Sequence, residues 1–238
     1  MKQFIISDDF WSLFPDACFG IVLAHNVRNK DINPESMNAI TKFLEASHHD
    51  AHKYLTEDVL SQNDVIAVWR DAYQKFKTKK GARVSIEALL KRVSKGNGVG
   101  SINPLVDIYN GISLTYGLPC GGEDIDTFVG SLQLIKTQGD DHFIALGDLE
   151  PDNTLPGEIA YVDDVGAVCR CWNWRDGQRT MLTDDTTNAF LIIECVDPTR
   201  RDDLEKATQH LATCVEKYLD GSAKHVIMDR NNAILDLE

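Results

Sequence analysis

A chain of 238 residues with 43% hydrophobic content can bury one large core or two small ones. Its formal net charge of -13 disfavours a polyanionic partner approached by the surface as a whole. The opening MKQFIISDDF falls far short of a secretory or membrane-spanning segment, and six cysteines without a C-x-x-C pair fit reduced thiols. The expectation is a cytoplasmic monomer that makes no use of a membrane.

In chain order, the first part reads as mostly helical after an opening pair of strands, with FGIVLA (19–24) a short buried strand. Asn33 as N-cap and Pro34 at the first helical position start a helix with Met37, Ile40 and Leu44 on one face. DVIAVWRDAYQKF places Val65, Val68, Trp69, Ala72, Tyr73 and Phe76 at helical spacing, and Ser85 is expected to cap IEALLKRV. Eight of the 24 basic residues fall between Lys75 and Lys95 against Glu87 alone: Lys75, Lys77, Lys79, Lys80, Arg83, Lys91, Arg92 and Lys95. Such a window can take phosphates by counterion release, or it can be a solvated helical surface.

The glycine-rich KGNGVGSINP (95–104) reads as a linker between residues 1–95, an N-terminal region packing on the core, and a core of 96–238. Asn103 and Pro104 form a second cap and first-turn pair, Leu105, Ile108, Ile112 and Tyr116 recur helically, and Gly117 suits a left-handed C-terminal cap. GLPCGGED (117–124) then reads as a turn or loop. Strands follow at SLQLIK, FIALG, EIAYVD, AVCRCW and AFLIIEC, then a helix from about 201 to 219, Gly221 as its stop, and a short strand HVIM. Helices early and last with strands between give an α+β fold.

The series INPLVDIYNGISLTYGLP…ED, GEIAYVDD and FLIIEC resembles the editing domain, called B3/B4, of the phenylalanyl-tRNA synthetase beta subunit. Trp69–Tyr73 (W-R-x-A-Y), Ser85–Arg92 (S-x-E-A-L-L-x-R) and CRCWNWRDG (169–177) further resemble the freestanding B3/B4 proteins. The likeness is strongest over about residues 60–197. It implies a three-layer β/β/α arrangement and hydrolysis of the ester of a mischarged tRNA, with the basic window holding the acceptor end.

Carried over position by position, the resemblance makes Glu194 a reader of the misattached side chain. It puts Asn110 at the pocket with Asp107 fixing a loop, and aligns Asp124 with the aspartate of a P-x-H-x-x-D stretch. Gly121 then stands where the synthetases have histidine. The backbone N–H groups of Gly121 and Gly122 are left to orient water or an oxyanion. Cys120 is a possible nucleophile or a buried thiol, with no histidine near it in sequence. Strand alternation would set Trp172 and Trp174 on one face, to stack on the terminal adenine or to fill the core, and Asn173 with Arg175 on the other, the polar pair contacting substrate, with Arg175 meeting a phosphate or carboxylate. His48 and His52 lie one helical turn apart, and Cys169 and Cys171 share a strand face. Neither pair makes a metal site alone, and no metal or cofactor is expected. The leading expectation is a trans-acting deacylase. The alternatives are a tRNA- or amino-acid-binding module without turnover, and a hydrolase of an unrelated small ester or amide.

Overall fold

A computed structural model describes residues 2–238. The opening strands do not pair with each other. β1 (Gln3–Ile6) and β2 (Cys18–His25) are separated by a short helix, α1 (Asp8–Leu13), and enter different sheets. The helices α2 (Pro34–Asp50), α3 (Asp64–Tyr73), α4 (Ser85–Val93) and α5 (Pro104–Tyr116) follow. Then come β3 (Cys120–Asp124), β4 (Leu132–Lys136), β5 (Ile159–Asp163), β6 (Gly166–Arg170), β7 (Arg175–Asp176) and β8 (Ala189–Cys195). The chain closes with α6 (Arg201–Tyr218), β9 (Ser222–Met228) and β10 (Ile234–Asp236).

These strands form a six-stranded sheet of order β10-β1-β4-β5-β6-β7 and a four-stranded sheet of order β3-β8-β2-β9. The fold is α+β in three layers: sheet, sheet, and a helical layer of α2, α5 and α6. Period-two alternation explains why β2 and β8 are apolar on both faces. Phe19, Ile21, Phe190 and Ile192 face the core between the sheets, while Val22, Leu191, Ile193 and Cys195 face the helices. The first 95 residues share both sheets and the larger core with the rest. At Gly20 a Cβ would collide with Thr208 of α6, so glycine there sets how closely helix and sheet approach.

Local chemistry accounts for most boundaries. Asn33 accepts from Ser36 N at 2.8 Å and Asn103 from Val106 N at 3.1 Å, each followed by proline at the first turn. Gly117 closes α5 with φ 59. Ser85 is not a cap: Val84 holds that position, and the buried Ser85 hydroxyl has no hydrogen-bond partner among the described residues. FIALG is not a strand; it contributes one isolated bridge, Ala145 to Gly177. The α6 helix ends at Tyr218 with Leu219 as its C-cap, as expected, but the left-handed residue that follows is Asp220 rather than Gly221.

Trp172 anchors the inter-sheet core. Its ring lies 4.9 Å from Phe10, 4.7 Å from Phe14 and 4.9 Å from Trp69, joining α1, α3 and the turn after β6. Trp172→Ala is expected to cost about 3–5 kcal/mol, read as a lower denaturation midpoint at unchanged m-value.

Candidate functional site

Between the two sheets lies a cavity of ≈ 70 Å³, several times the space one water requires. Its walls come from β3, β4, β5, β6, β7 and β8, with Ser85 of α4 and Trp174 closing one side. On β8 the residues facing it are Phe190, Ile192 and Glu194, the set that alternation directs away from the helices.

The stretch GLPCGGED is a strand rather than a turn from Cys120 onward, paired antiparallel with β8 at Gly121–Ile192 and Gly122–Leu191. Bonds from Glu194 N to Pro119 O and from Ile125 N to Asn188 O set the alternation of this ladder. Gly121 is thereby a bonded position whose N–H is spent on β8, and the Gly122 N–H points the opposite way, toward the 180–182 segment that bridges β3 at Glu123–Met181. An oxyanion pair of these two amides is ruled out. Gly121 contributes space instead: a Cβ there would meet only Ile192 Cγ2, at 4.0 Å.

Glu194 is 2% exposed at the pocket wall. Its Oε1 accepts from the Tyr161 hydroxyl and from Trp172 Nε1 at 2.8 Å, and its Oε2 accepts from Asn173 Nδ2. Burial raises its pKa from 4.5 to about 7, opposed by those three donors. No cation balances it; Glu123 and Asp176, two more carboxyls, line the same cavity. Asn173 is held in turn by the Tyr73 hydroxyl, which donates to its Oδ1 at 2.8 Å and places α3 behind the site.

The segment CWNWR departs from strand alternation. Cys171 and Trp172 adopt left-handed backbone (φ 47 and 65) in a turn before β7. Trp172 therefore enters the core while Asn173 and Trp174 reach the pocket. Arg175 does not join them: it pairs with Asp148 at 3.1 Å and lies over the Trp174 ring. The turn is backed by Arg170, 1% exposed, paired with Glu158 at 2.7 Å and Asp152 at 3.0 Å.

A second depression, ≈ 510 Å³, shares Ser85 and Trp174 with the first and carries Arg83, Lys91, Arg92 and Lys95. The basic window divides here. Lys79 is committed to Asp152, and Lys75 lies over Phe14 beside a different depression. Lys77 and Lys80 are exposed and line neither the groove nor the pocket.

Of the other residues singled out in the sequence, Asp107 accepts from Ile102 N at 2.8 Å and from Ser101, fixing the loop before α5 away from the cavity. Asn110 does not line the pocket; on the same helix it is Tyr109 whose phenol, raised by burial, feels Asp176 and Glu123. Asp124 accepts from Asp126 N at 3.0 Å and the Thr186 hydroxyl at 2.7 Å, a capping role. Burial pushes the Cys120 thiol up, which disfavours the nucleophilic thiolate. His48 accepts from Val99 N at 3.0 Å, and His52 lies exposed outside α2. Glu123, Tyr161 and Asp176 were missed. Tyr161 carried an alternation signal within EIAYVD, but nothing local marked the two acids.

A family model described as B3/4 domain matches residues 68–230. Two curated relatives are phenylalanine–tRNA ligase beta subunits. That of Psychrobacter arcticus is 34% identical over 96 residues, 40% of this chain and 12% of the relative. That of Cutibacterium acnes is 31% identical over 102 residues, 42% of this chain and 12% of the relative. The chain thus spans a small part of either. An N-terminal fragment of the phenylalanyl-tRNA synthetase beta subunit from Pyrococcus horikoshii superposes with TM-score 0.48 at 11% identity, covering 94% of this chain and 53% of that one. No helix among the described residues is long and apolar enough to cross a membrane.

Proposed function

We propose that this chain, which belongs to the B3/4 domain family, is an aminoacyl-tRNA deacylase acting in trans on the ester of a mischarged tRNA. The observation that carries this reading is the junction of two unlike cavities. A groove bearing Arg83, Lys91, Arg92 and Lys95 shares Ser85 and Trp174 with an adjoining pocket walled by carboxyls. The groove suits phosphates, the Trp174 ring offers a face to a terminal base, and the pocket admits an acyl group. The beta-subunit identity of the curated relatives supports a tRNA context.

Within this reading Glu194 tests the far end of the acyl group. Three donors leave its carboxylate one free lone-pair direction, which a polar side chain can fill and an apolar one leaves unpaired. At the mouth, the unpartnered Ser85 hydroxyl orients the attacking water. Water oxygen adds to the ester carbonyl, the bond to the ribose oxygen breaks, and that oxygen takes the proton. Ser85→Ala is expected to lower turnover at least tenfold at unchanged Tm.

The test is a panel of mischarged aminoacyl-tRNAs: accelerated release of at least one amino acid is expected, and stability equal to buffer throughout sinks the reading. Replacing Lys91, Arg92 and Lys95 together by alanine should weaken tRNA binding and reduce its salt slope by about 2–3. Lys79→Ala, already paired with Asp152, should change the slope far less. A second reading, binding of an aminoacyl or amino-acid end without cleavage, is favoured by the ladder that takes up the Gly121 N–H and by the burial that raises the Cys120 thiol. A tight complex with no turnover would select it.

A further inference from the structure

The cavity holds a carboxyl that the deacylase reading leaves idle. Glu123 on β3 is 6% exposed, lines the pocket, and its Oε2 has no hydrogen-bond partner among the described residues. The fully buried Thr180 hydroxyl lies beside it, steadies its carboxylate against burial and makes no other hydrogen bond among the described residues. Asp176 on β7 lines the same wall, and its charge opposes the ionisation of Glu123. Arg179 on the neighbouring turn is the one cation in reach, and its guanidinium is engaged by both oxygens of Asp163, at 2.8 and 2.7 Å. The groups facing Glu123 are thus Asp176, Asp124, Thr180 and Arg179, with Glu194 and Tyr109 further round the wall. A largely buried site with two adjacent acids, an unpartnered carboxyl oxygen and no cationic side chain in its lining is complementary to a cation.

We infer that Glu123 and Asp176 form a subsite for an organic ammonium group, and that the pocket takes an amino-acid moiety held by its charged α-amine. The choice of an α-amine rests on the aminoacyl reading above; the cation subsite rests on the cavity alone. The described residues include no group of His, Cys, Asp and Glu arranged as a metal cage, whereas an ammonium needs only two acceptors and a hydroxyl beside them. Placing the amine at Glu123 and Asp176 orients the adjoining carbonyl and leaves the side chain to Glu194.

Burial and the neighbouring Asp176 raise the Glu123 carboxyl well above the ordinary range, so an ammonium that favours its carboxylate is taken up against a proton. Entry of an R–NH₃⁺ group expels that proton to solvent; no bond of the ligand breaks. Affinity therefore tightens with rising pH, by up to about tenfold per unit, until the ligand amine itself loses its proton.

The probes are the amides of alanine, serine, leucine and tyrosine, each beside its des-amino amide, measured by calorimetry at pH 7 in two buffers of different ionisation enthalpy. Expected are binding of at least one amino amide tenfold or more tighter than its des-amino partner, and release of about one proton. Glu123→Gln should erase both the preference and the proton release. Asp176→Asn, the second variant in case the first fails to fold, should weaken the preference several-fold. Equal binding of amino and des-amino forms, binding without proton release, or no binding by any amide overturns the subsite. Deacylation is scored separately on tRNA: amine-dependent binding without turnover removes the enzyme and keeps the subsite. Turnover that survives Glu123→Gln with equal amide binding does the reverse.

Discussion

Gly121→Leu is expected to abolish ligand binding and lower any deacylation at least a hundredfold while leaving Tm within a few degrees of the parent. A strand position whose Cβ would meet only Ile192 Cγ2 at 4.0 Å accepts a side chain without backbone strain. The leucine body then occupies the ≈ 70 Å³ cavity itself. Replacing glycine within a strand also removes its entropic cost, about 0.5–1 kcal/mol. The adjacent glycine is the internal control. A Cβ at Gly122 points to the helical layer, 2.6 Å from Leu191 Cδ2 and 2.9 Å from Leu182 Cδ1. Gly122→Leu should therefore cost about 1–3 kcal/mol of stability by overpacking. Full activity in Gly121→Leu would show that the cavity between the sheets is not the site.

Glu194→Ala is expected to be the most damaging single change at the site, in stability and in activity together. It orphans the Tyr161 hydroxyl, Trp172 Nε1 and Asn173 Nδ2, at about 1–3 kcal/mol for each buried donor that water fails to reach. Its isostere separates the two effects through pH. Folding raises the Glu194 carboxyl from 4.5 to about 7, so its contribution to stability is complete below pH 4.5 and is lost as pH rises to 7. The amount is on the order of 3 kcal/mol. Glu194→Gln should remove that part of the decline in Tm. The slope that persists belongs to Glu123 and Asp176, whose proton affinities burial raises in the same direction. An unchanged Tm profile in Glu194→Gln would show that Glu194 is ionised throughout and that its three donors outweigh its burial.

What the sequence made legible follows from how local each signal is. Asn33 with Pro34 and Asn103 with Pro104 announce helices because a cap needs only its own three neighbours. AFLIIEC announces a doubly covered strand because both of its faces are apolar. GLPCGGED misled because two glycines and two acids look like a turn, whereas β3 is held as a strand by β8, some 70 residues away. CWNWR misled for the converse reason. Two non-glycine residues there hold left-handed backbone, which Arg170 with Glu158 behind the turn and the aromatic shell around Trp172 make tolerable. Glu123 and Asp176 were illegible because a buried acid and an exposed one are the same letter until the sheets close over them.

The position of β2 at the heart of the second sheet has a consequence for the order of events on the ribosome. β2 is synthesised long before either of its partners, β8 and β9, which lie beyond every other strand of the two sheets but β10. A nascent chain therefore carries an unpaired apolar strand through most of translation, exposed to misassociation until the C-terminal segment emerges. The same arrangement keeps the pocket unbuilt until β8, which carries Phe190, Ile192 and Glu194 of its wall, has joined β2 and β3.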